Sequence, residues 1–476
     1  MADAYEPTWE SVDAHAVPDW YHDAKLGIFV HWGVYSVPAW APTDATLADL
    51  EEASPYAEWY PYYMYQEGSP TYEYHREQYG ADVEYLDFAE EFGAENWDPT
   101  AWAEFFADVG ARYVVLTGEH HDGFPLWDSH YARYDAASVG PERDLVGDLC
   151  EAVRAEGLRF AASYHANYNY YQPGFDGRFG HPDFEAGGPL ESEGGPGSEY
   201  VDFMNAKHRE IVRKYEPDLL WFDVPKAEGD HLHAPELIAD YYNWAAEAGR
   251  EVVVNNRSAT DASGMSMDDE GNLEVDLDSL HGDFATPEYD AFDEITETKW
   301  EACRGIGHSF GYNRAETAAD HLSAGELVRS FADIVSKNGN LLINVGPRAD
   351  GTIPDLQREP LEGLGEWLDV NGEAVFGTRP WAAAEDPVAG VEVRYTRKDG
   401  DLYATCLEWP GADLSLDVGA HADAGDVAGV ELLDGDGGTD LDWRADGDLV
   451  VETPTGPPFE APAYALRLRG VADPRA

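Results

Sequence analysis

Short apolar segments alternate with amphipathic helical segments up to about residue 381, and this alternation limits the fold more than any other feature. Apolar runs of this kind are typical of parallel strands, which are covered on both faces of the sheet. The predicted strands are 27–30, 113–116, 158–164, 219–222, 252–254, 306–311 and 341–345. The predicted helices are one with Asp98 as its N-cap and Pro99 at its first position, and others over about 144–155, 200–215, 234–248 and 325–337. Seven or eight such β-then-α units predict a (β/α)8-like TIM barrel.

The pattern changes after Trp381 to short alternating strands separated by Gly and Asp turns. These strands predict a C-terminal antiparallel β-sandwich. The expected domains are a catalytic barrel over 1–385 and the β-sandwich over 386–476. Two long segments inside the barrel, 169–198 and 258–282, follow predicted strands and are expected to be functional loops on the catalytic face.

The charge balance indicates the salt concentration around the protein rather than a binding partner. With 94 Asp and Glu against 30 Lys and Arg, the net charge is −64, which excludes binding to nucleic acid or to an anionic membrane. Apolar residues make up 43% of the chain, so we expect a folded protein rather than a disordered one. Only seven of the cations are Lys. Such a surface repels itself in dilute buffer, whereas molar salt shortens the Debye length to about 3 Å, so the composition predicts a halophilic protein.

Cysteine usage and the N-terminus indicate the compartment. Three scattered Cys residues are too few for a disulfide framework or a Cys-ligated zinc site. The N-terminus lacks the features of a signal peptide, and no apolar run reaches the roughly 18 residues of a membrane span. The expected location is therefore cytoplasmic.

Polar residues end several of the predicted strands. In a barrel these residues meet at one mouth, where the βα loops build the site. They are His31, His120-His121-Asp122, Tyr164-His165, Asp223 and Asn256-Arg257. Asp223 stands out because a carboxylate that closes an apolar strand is costly to place unless it has a function, although a helix N-cap is the alternative.

The residue types at this mouth suit sugar hydrolysis. Trp, Tyr, His and carboxylates are present, and a Gly-rich phosphate loop is not. Hydrolysis of a glycoside needs two carboxylates, of which Asp223 is one. Residue types alone leave Glu58, Glu119 and Glu288 open as the second. No metal is expected, because the adjacent His120 and His121 point to opposite sides of an extended segment.

Six motifs together resemble the α-L-fucosidases of glycoside hydrolase family 29. In chain order they are GIFVHWGVYS at 27–36, EWY at 58–60, YVVLTGEHHDGF at 113–124, LLWFD at 219–223, FGYN at 310–313 and GNLLINVGP at 339–347. The resemblance runs from about residue 18 to 381. It implies a (β/α) barrel followed by a β-sandwich, and a retaining mechanism that needs no metal or other cofactor.

The resemblance also assigns roles to residues. It makes Asp223 the nucleophile, and the segment GDFATPEY at 282–289 selects Glu288 as the acid/base. Phe29 and Phe310 match an apolar wall, which suits the methyl group of a 6-deoxy sugar. Where many relatives carry two tyrosines after the third strand, this chain has Ser163-Tyr164-His165, so Tyr164 is expected to contact the sugar. The other positions that match sugar-binding residues are His31, Glu58, Trp59, His120, His121, Trp221 and Arg257.

Two other functions remain open at this point. One is a catalytically silent, lectin-like barrel that binds fucose, and the other is a related glycosidase that acts on α-L-galactosides. The expected partner is a fucosylated carbohydrate for a fucosidase or a fucose-binding barrel, and an α-L-galactoside for the remaining function. The sequence does not decide whether the chain forms a homo-oligomer.

Overall fold

The computed structural model of the chain describes residues 4–50, 52–165, 198–225, 227–267, 273–387, 390–435 and 437–471. The predicted loop over 169–198 lies outside the described residues except for Ser198. None of the helices in these ranges is long and apolar enough to span a membrane.

The elements follow the predicted order of strands and helices. The strands are β1 Leu26–Val30, β2 Tyr113–Glu119, β3 Arg159–Tyr164, β4 Leu219–Phe222, β5 Val253–Val254, β6 Met265–Met267, β7 Leu273–Val275, β8 Trp300–Gly305, β9 Gly339–Val345, β10 Arg379–Glu385, β11 Val393–Lys398, β12 Asp401–Cys406, β13 Leu414–Leu416, β14 Gly429–Leu432, β15 Thr439–Leu441, β16 Trp443–Asp446, β17 Asp448–Val451 and β18 Tyr464–Arg469. The α-helices are α1 Trp9–Val12, α2 Asp19–Ala24, α3 Tyr60–Tyr63, α4 Pro70–Gln78, α5 Asp87–Glu91, α6 Pro99–Asp108, α7 Leu145–Ala155, α8 Ser198–Tyr215, α9 Gly229–Leu232, α10 Ala234–Ala248, α11 Ala324–Ser336 and α12 Asp355–Asn371.

A closed ring of parallel strands forms the first part of the chain. Seven strands are hydrogen-bonded in the order β5-β4-β3-β2-β1-β9-β8. The extended segment 284–288 fills the gap between β5 and β8, through parallel bridges Asn255↔Phe284 and Ala285↔Trp300. The amide N of Cys303 also donates to the carbonyl O of Pro287 at 2.9 Å. With this segment as the eighth position, the structure confirms the (β/α)8-like TIM barrel.

One predicted strand was placed too late in the chain. The strand before β9 is Trp300–Gly305, whereas the apolar run 306–311 lies beyond it. The reason is that β8 points Glu301 into the barrel and so lacks an apolar run. The segment 284–288 was missed for a similar reason, because Pro287 and polar neighbours interrupt it.

Local sequence signals set where the helices begin. Asp98 caps α6, its carboxylate accepting from the amides of Thr100 and Ala101 at 3.0 and 3.2 Å, and Pro99 occupies the first turn. At α11, Ser323 and Glu326 form a capping box. These starts agree with the predicted helices to within a residue or two.

The floor of the barrel is built around a buried carboxylate. Glu301 is fully buried and accepts hydrogen bonds from the hydroxyl of Tyr21 at 2.8 Å, from Nε1 of Trp221 at 3.0 Å and from the hydroxyl of Tyr113. Burial raises the pKa of Glu301 above its usual value. Three donors satisfy this group, which fixes the indole of Trp221 beneath the barrel mouth.

Two antiparallel sheets form the last part of the chain. One has the order β10-β11-β12-β18-β14-β15 and the other β13-β17-β16. Their facing side chains, which include Tyr395, Leu402, Leu414 and Leu449, share one apolar core. The predicted β-sandwich is thus confirmed. The predicted boundary at 385/386 would leave β10 with the barrel, whereas β10 pairs with β11 in the C-terminal sheet.

The sandwich packs on helices α11 and α12 of the barrel. Nε1 of Trp367 donates to the carbonyl O of Ala463 at 2.9 Å, and Leu407 and Ala463 belong to the same apolar cluster as the barrel helices. Beside this contact the guanidinium of Arg394 on β11 donates to the carboxylate of Asp333 on α11. Both side chains are largely buried, at 13% and 20% exposure.

Replacing Arg394 should therefore weaken the contact between the two parts. We expect Arg394→Ala to lower the free energy of unfolding by about 1–2 kcal/mol, because it leaves the carboxylate of Asp333 partly buried with Lys337 as its remaining cation. The matched control is Arg444→Ala, which removes an exposed pair with Glu452 in the C-terminal part and should change stability by less than about 0.5 kcal/mol. Urea unfolding of both variants measures the difference, and equal losses would contradict the buried role of Arg394.

Candidate active site

Three neighbouring positions of the barrel place charged side chains at its mouth. Asp223 follows β4 directly, Arg257 follows β5, and Glu288 ends the segment 284–288. Because parallel strands point their carboxyl ends to the same side, these residues meet although they are far apart in sequence.

Arg257 joins the two carboxylates. Its Nη1 donates to Oδ1 of Asp223 at 2.7 Å and to Oε2 of Glu288 at 3.0 Å. The two oxygens are thus separated by at most the length of both bonds end to end, about 5.7 Å. Nε and Nη2 of Arg257 each donate to Thr286 at 2.8 Å, to its hydroxyl and to its carbonyl O. The guanidinium is therefore held in one orientation by four hydrogen bonds.

The surroundings keep Asp223 ionised. Burial alone would raise its pKa, but His165, Arg257 and His121 face the carboxylate and together lower the pKa to about 2. The guanidinium charge of Arg257 is permanent, so the direction holds at any pH at which the protein folds. Oδ2 of Asp223 lies 3.3 Å from Nδ1 of His165. Glu288 has different surroundings, since its Oε1 accepts from the hydroxyl of Tyr56 at 2.8 Å.

Four histidines, which follow the three strands β1, β2 and β3, surround Asp223. Burial lowers the pKa of His31 to about 4 and the pKa values of His120 and His165 well below their usual range, so these three rings are neutral at neutral pH. Nδ1 of His31 lies 2.7 Å from Oδ1 of Asn344, which makes Nδ1 the donor and leaves Nε2 as an acceptor. Nδ1 of His121 lies 3.1 Å from the carbonyl O of His165.

A second acid and an apolar wall complete the mouth. Oε2 of Glu58 accepts from the amide of Gly311 at 2.7 Å, and burial raises the pKa of Glu58 to about 8. Glu58 is thus protonated at neutral pH and able to donate a hydrogen bond. The rings of Phe29 and Phe310 form the apolar wall and lie 4.4 and 5.0 Å from that of His31.

Two aromatic residues lie beside the charged groups. The ring of Trp59 is 4.7 Å from that of His121. The indole of Trp221 lies under Arg257, whose Cζ is 4.9 Å from the ring centroid. The structure therefore brings together every predicted site residue except Tyr164.

Tyr164 points away from the mouth. Its buried ring packs between the outside of the barrel and α8, 4.3 Å from the ring of His208. Side chains alternate along a strand, so Ser163 and His165 face inward while Tyr164 faces the helices. The structure does not support a sugar contact for Tyr164 and places His165 there instead. The period-two alternation of β3 was the signal that identifies His165.

The buried position of Glu119 is explained by an ion pair. Its buried carboxylate forms an ion pair with Nζ of Lys207 on α8. This pairing removes Glu119 from the three candidates for the second acid, and the contact through Arg257 favours Glu288 over Glu58. Tyr56 and Thr286, which contact Glu288 and Arg257, were not predicted, because nothing in their sequence context marks them.

Two groups of side chains at the mouth could hold a metal ion. They are His31, His120 and His165, and His121, His165 and Asp223, whose possible ligand atoms lie within 4.8 Å of one another in each group. His120 and His121 are neighbours in the chain, whereas the ligands within each of these groups follow different strands. Neutral imidazoles can bind a metal ion, but the permanent positive charge of Arg257, which bonds to Asp223 at 2.7 Å, opposes a dication at this mouth.

The comparisons with known proteins agree with this geometry. A family model described as alpha-L-fucosidase matches residues 1–373. The tissue alpha-L-fucosidase of Homo sapiens is 31% identical over 483 residues, which cover 98% of this chain and 92% of that protein. The crystal structure of the Thermotoga maritima alpha-fucosidase in complex with fucose is 37% identical, with a TM-score of 0.77 over 98% of this chain and 100% of that one. The same enzyme in complex with a mechanism-based inhibitor gives a TM-score of 0.79.

The permanent charge of Arg257 beside Asp223 predicts that the mouth needs no metal. We expect the purified protein to contain no stoichiometric transition metal, and EDTA to leave its melting temperature unchanged. Elemental analysis and differential scanning fluorimetry measure both. One bound ion per chain, removed by EDTA with a loss of thermal stability and also lost in His165→Asn, would contradict the prediction.

Proposed function

The chain belongs to the α-L-fucosidase family and is a glycoside hydrolase, and on that basis we propose that it is a retaining α-L-fucosidase that acts through Asp223 and Glu288. The observation that carries this proposal is the pair of carboxylates on Nη1 of Arg257, with oxygens at most about 5.7 Å apart. Retaining glycosidases have carboxyl groups about 5–5.5 Å apart, whereas inverting ones need about 6.5–9.5 Å to admit water.

The reaction has two steps. Asp223 attacks the anomeric carbon while Glu288 gives its proton to the departing oxygen, which forms a β-fucosyl-enzyme and a free alcohol. Glu288 then takes a proton from water, which attacks the same carbon and breaks the bond to Asp223. The product is α-L-fucose, so the configuration is retained.

The electrostatic environment suits these roles. The nucleophile must be ionised, and Arg257 keeps the pKa of Asp223 low. The acid must approach the sugar from the side of the leaving group. Glu288 suits this role because it comes from a different barrel position than Asp223, and its carboxylate is held by the hydroxyl of Tyr56. Arg257 contacts both groups, so it fixes their separation.

The remaining residues suit a fucosyl ring. Neutral imidazoles can each donate and accept, as sugar hydroxyls require, and the protonated Glu58 adds a donor. Phe29 and Phe310 offer the methyl group an apolar surface, whereas the hydroxymethyl group of an α-L-galactoside would lose hydrogen bonds there. We therefore propose terminal α-L-fucosyl residues of glycans or glycosides as the substrate.

The composition adds two proposals about the setting. We propose that the protein is adapted to molar salt, because its net charge of −64 is destabilising where charges are not screened. We also propose a cytoplasmic location, which the three buried, unpaired cysteines support.

Azide should identify the role of each carboxylate by the stereochemistry of its product. Asp223→Gly should abolish turnover of an aryl α-L-fucoside, and azide should then occupy the place of the missing nucleophile and give β-L-fucosyl azide. Glu288→Ala should lower turnover by about 10²–10⁴-fold with poor leaving groups, and azide should intercept the fucosyl-enzyme to give α-L-fucosyl azide. Proton NMR of the products measures the outcome.

The matched control is Asp128→Gly, which removes an exposed carboxylate and should keep full activity without forming azide products. The same azide product from both site variants would contradict the double displacement. Formation of α-L-fucosyl azide by Glu58→Ala and not by Glu288→Ala would assign the acid to Glu58.

Stability and activity should fall together when salt is removed. We expect the melting temperature and the rate of aryl α-L-fucoside hydrolysis to decline as KCl is lowered from about 3 M to below about 1 M, where the Debye length exceeds about 3 Å. Sucrose at equal osmolality is the control, since it does not screen charges. Full activity in dilute buffer would refute the adaptation and leave the roles of Asp223 and Glu288 untouched.

A further inference from the structure

A second concave site lies at the opposite end of the barrel from the mouth. Arg112 precedes β2 and Arg159 begins β3, so both stand at the amino ends of their strands. Together with α2, the segment after α12 and the end of β11, they enclose a groove of about 390 Å³. We call it the basal groove, and its principal lining residues are Trp20, Asp23, Arg112, Arg159, Phe376 and Lys398.

The basal groove is cationic in a chain that has few cations. Of the four charged lining residues three are positive, and the one carboxylate, Asp23, already accepts from Arg379 at 2.6 Å. Within the described ranges neither Arg112 nor Lys398 forms an ion pair, whereas Arg159 donates to Asp218 at 3.2 Å and shares that carboxylate with Arg250. Nζ of Lys398 donates only to the carbonyl O of Phe376 at 3.0 Å. Asp and Glu outnumber Lys and Arg threefold in this chain, so a groove in which cations predominate differs in charge from most of the surface.

Aromatic rings hold both guanidinium groups in place. Cζ of Arg112 lies 4.0 Å from the ring centroid of Phe376, and Cζ of Arg159 lies 4.2 Å from that of Trp20. The two backbones are adjacent, because the amide of Arg159 donates to the carbonyl O of Arg112 at 3.1 Å. Stacking leaves the N–H edge of a guanidinium able to bond, and Arg recognises oxyanions through paired hydrogen bonds. Nη1 of Arg159 uses part of this edge for Asp218 at 3.2 Å, whereas Arg112 bonds to no carboxylate within the described ranges.

Two glycines keep the basal groove open. A Cβ on Gly377 would lie 3.4 Å from Nζ of Lys398, so the ammonium group rests against the glycine. The space beside Gly157 is empty, since a Cβ there would have no atom within 4 Å. Both glycines have positive φ, at 71° and 76°, a conformation that other residues rarely adopt.

We propose that the basal groove binds a small phosphorylated ligand, a phosphate monoester about the size of a sugar. Arg112 and Lys398, which pair with no carboxylate among the described residues, together match the double charge of a phosphate better than the single charge of one carboxylate, and Arg159 adds a third donor. The volume is in the range of small-molecule sites, roughly 300–1,000 Å³, and leaves space for an attached group. The site is independent of the catalytic mouth and of the function proposed for it.

Such a ligand would connect the two parts of the chain. Arg112 and Arg159 belong to the barrel and Lys398 to the C-terminal sheet, so one phosphate bound to all three bridges them. Ligands that bind only the folded state raise its stability in proportion to the logarithm of their concentration. The ligand would thus act as a stabiliser rather than as a substrate.

The test uses the full chain with inorganic phosphate as the probe, titrated in KCl at constant ionic strength. Phosphate should raise the melting temperature and bind in isothermal titration calorimetry. The double variant Arg112→Gln/Lys398→Gln should bind at least about ten-fold more weakly, because it loses two charge-assisted contacts. Arg76→Gln is the matched control. It removes an exposed arginine that stacks on Tyr72 away from the groove, and it should bind phosphate like the parent protein.

Three outcomes decide the proposal. It is supported if phosphate binds the parent and Arg76→Gln equally and the double variant poorly, with hydrolysis of aryl α-L-fucoside unchanged in all three. Absent binding to the parent, or equal binding to the double variant, would overturn it. Malonate that binds as tightly as phosphate would also overturn it, because the site would then be a carboxylate site. If the double variant does not fold, Lys398→Gln alone is tested against the same control, with the same outcomes.

Discussion

The contact of one guanidinium with two carboxylates is the interaction on which the site depends. Nη1 of Arg257 bonds to both Asp223 and Glu288, and those residues come from β4 and from the segment 284–288 on either side of β5. The contact therefore forms only when the barrel closes through that segment. It sets the separation of the carboxylates and the ionisation of Asp223 together, so a change in barrel closure would alter the geometry and the pKa at once.

This contact is supported from the floor of the barrel. Glu301 accepts from Nε1 of Trp221, and the indole of Trp221 in turn lies beneath Arg257. The floor carboxylate is buried and satisfied by three donors, so it holds the indole in a fixed position without facing the mouth. Each layer thus contacts the next, from Glu301 through the indole of Trp221 to Arg257 and its two carboxylates. The floor and the mouth therefore form one packed column.

Sequence reasoning reached the fold because strand and helix patterns are local properties. It failed where the inward faces of strands are polar, as in β8 with Glu301 and in the segment 284–288 with Pro287. Asp223 was found from its position after an apolar strand. Glu288 needed the family resemblance, since a carboxylate in a loop has no local signature. His165 was expected at the mouth, but the sugar contact was assigned to Tyr164 although strand alternation separates the two. The contact of Tyr56 with Glu288 arises only from tertiary packing.

Salt screens the charges of the acidic surface far more than those of the buried site. At molar salt the Debye length of about 3 Å removes most repulsion between exposed carboxylates, yet it leaves hydrogen-bonded pairs nearly intact because no ion fits between them. The contacts of Arg257, at 2.7 and 3.0 Å, and the pair of Arg394 with Asp333 are of this second kind. A chain adapted to salt can therefore lose most of its cations and keep those in direct contact. By the same reasoning, the proposed anion would bind to the basal groove in molar salt only through direct hydrogen bonds. The aromatic rings beside Arg112 and Arg159 favour such bonds because they orient the two guanidinium groups.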